Sequence, residues 1–209
     1  MSVPTRIKIC GIRDDEALEA AVEAGADYLG FVHWTGSPRH IGIEDAARLA
    51  AGLPERTTPV SLFVDESIER MLETPFQWIQ LHGSEDESTC RRLREAGHRV
   101  IRGVHFTPEA IQRWAECEDV DLLLVDGSRT GGTGESFDHD ALMRLGTRID
   151  TPLIIAGGLD PNNVERVIQA TQCWGVDVSS GVESERGRKD PALIRRFCQA
   201  ARANETGSK

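Results

Sequence analysis

Short apolar runs recur along the chain, at RIKIC (6–10), DYLGFV (27–32), PVSLFV (59–64), WIQLH (78–82), RVIRGV (99–104), DLLLVD (121–126), PLIIA (152–156) and GVDVS (175–179). Several are nearly continuous Val, Ile and Leu, the pattern of parallel strands covered on both faces. An amphipathic stretch follows each run. The first, DEALEAAVEAG (15–25), sets Leu18, Val22 and its alanines on one apolar face, with Asp14 or Asp15 as cap and Gly25 as stop. The others are IEDAARLAAGL (43–53), DESIERMLE (65–73), SEDESTCRRLREAG (84–97), TPEAIQRWAEC (107–117), DHDALMRLG (138–146), DPNNVERVIQA (160–170) and DPALIRRFCQAAR (190–202). Pro161 and Pro191 each follow an aspartate, the order of a cap and a first helical residue.

Eight strand–helix units with no break in composition predict a parallel sheet closing on itself, an α/β fold of the (β/α)8 (TIM) barrel type. The expected single domain runs over 1–203, with NETGSK (204–209) as a frayed tail. An open doubly wound sheet is the competing arrangement. It is disfavoured because no GxGxxG opens the first helix and no acidic ribose ligand stands about 20 residues further on.

Charge narrows the choice of partner. Of 209 residues 28% are charged, the net charge is -10 and the isoelectric point is about 5.1. Such a surface repels polyanions, so neither nucleic acid nor an anionic membrane is an expected partner. A small anionic substrate remains compatible, since a few arginines and backbone amides can build a local positive pocket. The cysteines at 10, 90, 117, 173 and 198 form no CxxC pair, and their odd number disfavours a disulfide scaffold. Reduced thiols in a cytoplasmic protein are the expectation. There is no apolar signal core at the amino terminus and no run approaching the ~20 residues that span a bilayer.

Barrel chemistry sits at the carboxyl ends of strands. By that test Cys10, ending the first run, and Asp126, ending the sixth, are candidates. Cys90, Cys117 and Cys198 fall within predicted helices and Cys173 in a turn, so they are read as packing residues. A buried, inert thiol is also the ordinary reading of Cys10 itself. Three glycine-rich turns follow the last three strands: DGSRTGGTGESFD (126–138), AGGLDPNNV (156–164) and SSGVESERGRKD (179–190). One such turn alone reads as tight-turn geometry. Glycines in both of the last two barrel loops point to a phosphate held by backbone N–H groups. Arg39, in HWTGSPRHIG (33–42), reads from spacing as a solvated loop charge; the sharper reading is a guanidinium that clamps a carboxylate. His33 and His82 have no third partner at metal-ligand spacing, so no metal is expected. A thiol and a carboxyl on opposite sides of a barrel mouth suit an isomerisation by two proton transfers, without metal or redox cofactor.

Together the stretches KICGIR (8–13), GFVHWTGSPRHI (30–41), LFVDE (62–66), IQLHG (79–83), LLLVD (122–126), GGTGESFD (131–138), AGGL (156–159) and DVSSGVE (177–183) closely resemble the phosphoribosylanthranilate isomerases of tryptophan biosynthesis. They cover nearly the whole chain in fixed order. The resemblance implies a cofactor-free Amadori rearrangement of a phosphosugar, with Asp126 as general acid and Cys10 as general base. It implies Arg39 for the anthranilate carboxylate, and Gly157, Gly158, Ser180 and Gly181 for the phosphate. Gly132 would help cover the site, with Asp177 as a polar neighbour. The strand 2 loop HWTG and the strand 6 loop GSRT depart from the family pattern, which bears on loop shape and affinity. Among rival phosphosugar barrels, the histidine-pathway aminoaldose isomerase would carry aspartate in place of Cys10, and indole-glycerol-phosphate synthase would carry lysine. Pentulose-phosphate epimerases would need histidine ligands at strand ends. A non-catalytic phosphate-ligand sensor would have no use for both proton carriers. Monomer and homodimer are equally compatible with the sequence.

Overall fold

The computed structural model describes residues 4–127 and 150–203. Eight parallel strands close into a barrel in sequence order: β1 (Arg6–Cys10), β2 (Tyr28–Val32), β3 (Thr58–Phe63), β4 (Trp78–Leu81), β5 (Arg99–His105), β6 (Leu122–Asp126), β7 (Leu153–Ala156) and β8 (Gly175–Val178). Closure is made by β1, which pairs with β2 through Lys8, Ile9 and Cys10 and with β8 through Arg6 to Ile9. The helices between strands are α1 (Asp15–Glu23), α2 (Ile43–Ala50), α3 (Ile68–Met71), α4 (Glu87–Glu95), α5 (Pro108–Ala115), α6 (Val164–Thr171) and α7 (Pro191–Arg202). The helix expected over 138–146 and the tail 204–209 lie outside the described residues, as does Gly132.

Local chemistry accounts for the helix starts. Asp14, not Asp15, caps α1 by accepting from Ala17 N–H; Ser67, Asp86 and Thr107 cap α3, α4 and α5 in the same way. Asp190 caps α7 and Pro191 follows as its first residue, as the sequence predicts. Pro161 differs. It lies in a turn ahead of α6, where Asp160 accepts from the N–H groups of Asn162 and Asn163, so the helix begins three residues late at Val164. The helix expected over 65–73 shrinks to α3, because Asp65 takes a positive φ and turns its carboxylate to Ser84. Cys117 lies just beyond the end of α5.

Two apolar regions hold the barrel together. Alternate strand residues such as Ile7, Ile9, Leu29, Phe31, Ile79, Leu81, Val100 and Val125 face the helices, which bury Ala20, Leu93, Trp114, Ile194 and Phe197 against them. Removing a ring such as Phe197 from this layer should destabilise by about 3–5 kcal/mol. Inside the barrel, Val60, Trp78, Ile101, Leu122, Leu124, Ile154 and Ala156 form a second cluster. Tyr28 and Trp174 pack on it, with Tyr28 edge-on to Trp78. That plug runs from Trp78 and Leu122 at the amino ends of their strands up to Ala156, which is level with Asp126. Toward the carboxyl end Cys10, Val32 and Leu62, flanked by Val64, also line the interior. Among them stand the polar side chains that form the site.

Candidate active site at the carboxyl end of the barrel

Cys10 and Asp126 both face this mouth, at the last residues of β1 and β6. On the β1 side the surroundings are ionic. Lys8, one inward step below Cys10, is wholly buried and donates from Nζ to Asp177 Oδ1 on β8 at 2.8 Å. Burial works against its ammonium, yet Asp177 and Cys10 outweigh that and raise its pKa. For Cys10 burial is again the largest influence and pushes the thiol up, with Asp177 adding to it, while Lys8 and Lys189 pull it down.

A second ionic group lies above the first. After β8 the chain makes a 3-10 turn, Ser180–Val182, and then an antiparallel pair, β9 (Glu183–Glu185) and β10 (Arg188–Lys189), where only a glycine-rich loop was expected. Glu183 accepts from Arg39 Nε at 2.6 Å and Nη2 at 2.9 Å, from Lys189 Nζ at 2.8 Å and from Gly187 N–H at 3.0 Å. Burial alone would raise the Glu183 pKa; Arg39 and Lys189 reverse this and hold it at about 2. Lys189 also donates to Ser179, whose hydroxyl donates to the Cys10 carbonyl. Arg39 is therefore no free solvated loop charge. Its stem runs over Gly11, where a Cβ would fall 2.7 Å from Arg39 Cδ, so the glycine after Cys10 is what lets the guanidinium stem lie against the β1 turn.

The β4–β6 side carries different groups. Asp126 Oδ2 is 4.0 Å from His82 Nε2, and His82 Nδ1 is 3.0 Å from Gln80 Nε2. Burial lowers the His82 pKa despite Asp126 and Asp177, so the ring is neutral at pH 7. Nδ1 is thus the ring nitrogen turned to Gln80, and Nε2 is the one that faces Asp126. The buried Gln80 Oε1 has no hydrogen-bond partner among the described residues. Lys8 and Asp177 act on His82 as well as on Cys10, so a single buried ion pair reaches both sides of the mouth.

The glycine turns close the third side. Gly157 and Gly158 take positive φ values of 92° and 65°, and Asn163 Nδ2 donates to the Gly158 carbonyl to hold the turn. Gly181 touches this turn so closely that a Cβ there would fall 1.9 Å from the Leu159 carbonyl oxygen. The loops after β7 and β8 are thus packed as one surface, with Ser180 and Gly181 in the 3-10 turn beside Leu159.

Cys10, Asp126, Arg39, Asp177 and the four loop residues therefore converge on one end of the barrel. Asp177 is more central than a polar neighbour, because it anchors Lys8. The sequence reading passed over Lys8, Glu183, Lys189 and Gln80. A signal was present for Lys8, since it shares the inward parity of Cys10 on a strand of period two. His33 is accounted for by its own partners, Ile41 O at 2.8 Å and Ser61 Oγ at 3.0 Å, with Ser61 bonded on to Thr74. Of the other cysteines, Cys90 and Cys198 are packed in the helix layer and burial pushes each up to about 12.

A closed (β/α)8 barrel with a thiol, a carboxyl and buried ion pairs at the carboxyl ends of its strands defines a class, the barrel enzymes that work at that mouth. Residues 7–200 match the family model described as N-(5'-phosphoribosyl)anthranilate (PRA) isomerase. The chain is 42% identical over 201 residues to the N-(5'-phosphoribosyl)anthranilate isomerase of Chromohalobacter salexigens, covering 92% of each. It superposes on the crystal structure of phosphoribosyl anthranilate isomerase from Thermotoga maritima with a TM-score of 0.87 at 35% identity, covering 95% of this chain and 99% of that one. A crystal structure of such an isomerase in complex with reduced 1-(o-carboxyphenylamino)-1-deoxyribulose 5-phosphate matches with a TM-score of 0.84 at 34% identity, with the same coverage. The chain belongs to the phosphoribosylanthranilate isomerase family.

Proposed function

We infer that the chain isomerises N-(5-phosphoribosyl)anthranilate to 1-(2-carboxyphenylamino)-1-deoxyribulose 5-phosphate, a step of tryptophan biosynthesis. The observation that carries this reading is the match of residues 7–200 to the isomerase family. The shared mouth position of Cys10 and Asp126 supports the roles given to them.

Asp126 acts as general acid, giving its proton to the furanose ring oxygen as the bond from that oxygen to carbon 1 breaks. The nitrogen lone pair forms the iminium. Cys10 then acts as general base: its sulfur takes the proton from carbon 2, and the electrons of that C–H bond neutralise the iminium. The resulting enol-amine becomes the aminoketose. One proton leaves Asp126 and one arrives at Cys10, so the substrate is isomerised without net oxidation. His82, neutral and beside Asp126, supports delivery by limiting the positions its carboxyl can take.

Binding is divided between two surfaces. Arg39 presents the N–H donors not turned to Glu183 to the anthranilate carboxylate. Backbone amides of Gly157, Gly158, Ser180 and Gly181 hold the phosphate, which the joined loops after β7 and β8 support. The five free thiols support a cytoplasmic setting for the reaction. None of the helices among the described residues is long and apolar enough to cross a membrane.

The test is turnover of phosphoribosylanthranilate by purified protein, followed by the change in fluorescence of the anthranilate group. Cys10→Ala and Asp126→Ala should each lower kcat by about 100-fold or more, the scale of a lost acid or base. Undiminished turnover in either variant overturns that residue's role, and no turnover by the parent chain overturns the function.

A further inference from the structure

Lys8 is buried inside the barrel, between Tyr28 on β2 and Asp177 on β8. An ammonium withdrawn from water loses several kcal/mol of solvation, and a partner must compensate for it. Asp177 supplies one contact at 2.8 Å. Cys10, two residues further along β1 on the same inward face, is the other neighbour of Lys8. Gly30, the β2 residue paired with Cys10, makes room for this arrangement. A Cβ on Gly30 would lie 2.9 Å from Cys10 Sγ and 3.2 Å from Lys8 Nζ, so sulfur and ammonium share the space that its missing side chain leaves open.

We propose that Lys8 is a positioning residue for the reaction: held by Asp177 over Gly30, its ammonium orients the Cys10 sulfur and favours the thiolate that takes the substrate proton. The proposal rests on Cys10 being the base. Lys8 keeps its own proton throughout, and the proton from carbon 2 ends on sulfur. Four charged groups bear on that sulfur: Lys8 from its own strand, Asp177 from β8, Lys189 from β10 and Arg39 from the loop after β2. Burial and Asp177 oppose the thiolate, and Lys8 and Lys189 favour it. Lys8 is the one that shares with the sulfur the space left open at Gly30. A purely structural Lys8 would do nothing except neutralise Asp177.

The two roles separate in a titration of the thiolate absorbance near 240 nm, taken as the difference between each protein and its Cys10→Ser counterpart, so that Tyr28 and the other four thiols cancel. Lys8→Met is the direct variant. Lys8→Met with Asp177→Asn removes both charges, so that no aspartate is left stranded if the single variant fails to fold. The positioning role expects the thiolate midpoint to rise by about one pH unit or more in Lys8→Met against the parent, and in the double variant against Asp177→Asn, since Asp177 itself opposes the thiolate. The limb of kcat/KM that rises with pH should move with it, kcat at pH 7 should fall at least tenfold, and Lys8→Arg should recover part of the loss. A midpoint unmoved in a folded Lys8→Met, or unmoved from Asp177→Asn to the double variant, overturns the proposal and leaves Lys8 as the counter-ion of Asp177. If instead the midpoint moves but Cys10→Ser turns over at the parent rate, the assignment of Cys10 as base fails, while the action of Lys8 on the sulfur stands.

Discussion

The two sides of the barrel mouth are built on opposite electrostatic plans. Around Cys10 the protein gathers formal charges: Lys8 with Asp177, then Arg39 and Lys189 on Glu183. Near Asp126 stands the imidazole of His82, whose pKa burial lowers and whose other ring nitrogen meets Gln80. The charges around Cys10 suit the base role proposed for it, because a base that works as an anion is helped by nearby cations. The pair Lys8–Asp177 contributes no net charge, so it acts on the sulfur at short range without making the whole mouth cationic.

That contrast can be broken most severely at Asp177. Asp177→Ala should strand the buried Lys8 ammonium and destabilise the fold by about 3–5 kcal/mol, read as a lowered midpoint in urea unfolding. Asp177→Asn should do less, since the amide oxygen can still accept from Lys8. Next comes Glu183, whose carboxylate ionises at about 2 in the folded protein against an ordinary 4.5. Its depressed pKa is worth about 3 kcal/mol of stability, present in full above about pH 4.5 and lost as pH falls toward 2. Glu183→Gln should therefore flatten the acid-unfolding curve across that window, and an unchanged curve would remove the clamp from the account. On the neutral side, His82→Leu should leave folding largely intact and lower kcat by about tenfold, because Asp126 loses a neighbour that confines it rather than its proton. KM should change less than kcat. The smallest effect is expected far from the mouth: the exposed pair Arg92–Glu69, 3.5 Å apart, should contribute less than about 1 kcal/mol, so Arg92→Ala should barely move the melting temperature.

Much of this protein was legible in its amino acids. Apolar runs alternating with amphipathic stretches marked the eight barrel strands and the seven α-helices among the described residues, because each element carries its own period and its own caps. Cys10 and Asp126 were singled out by one rule, that chemistry sits where a barrel strand ends, and both do end barrel strands. The errors share a cause. The helix expected to begin at Asp65 starts instead at Ile68, because Asp65 serves Ser84, a partner 19 residues away. Lys8 escaped notice since alternation separates core from water only when one face of a strand is wet. In a closed barrel both faces are dry, and a lysine within RIKIC can point inward as readily as outward. Glu183 and Lys189 escaped because β9 and β10, three and two residues long, are too short to leave a periodic trace.

Taken by itself, the chain determines its local elements, their order and which strand ends carry a thiol or a carboxyl, since propensity, capping and periodicity act among near neighbours. Only the tertiary structure decides which charges share a low-dielectric space. Lys8 and Asp177 are 169 residues apart, and Arg39 and Glu183 are 144 apart. Ring closure between β1 and β8 and the packing of the β9–β10 pair against the loop after β2 bring each pair together. Coulomb energy depends on distance in space and on shielding from water, and neither is written at any one position of the sequence.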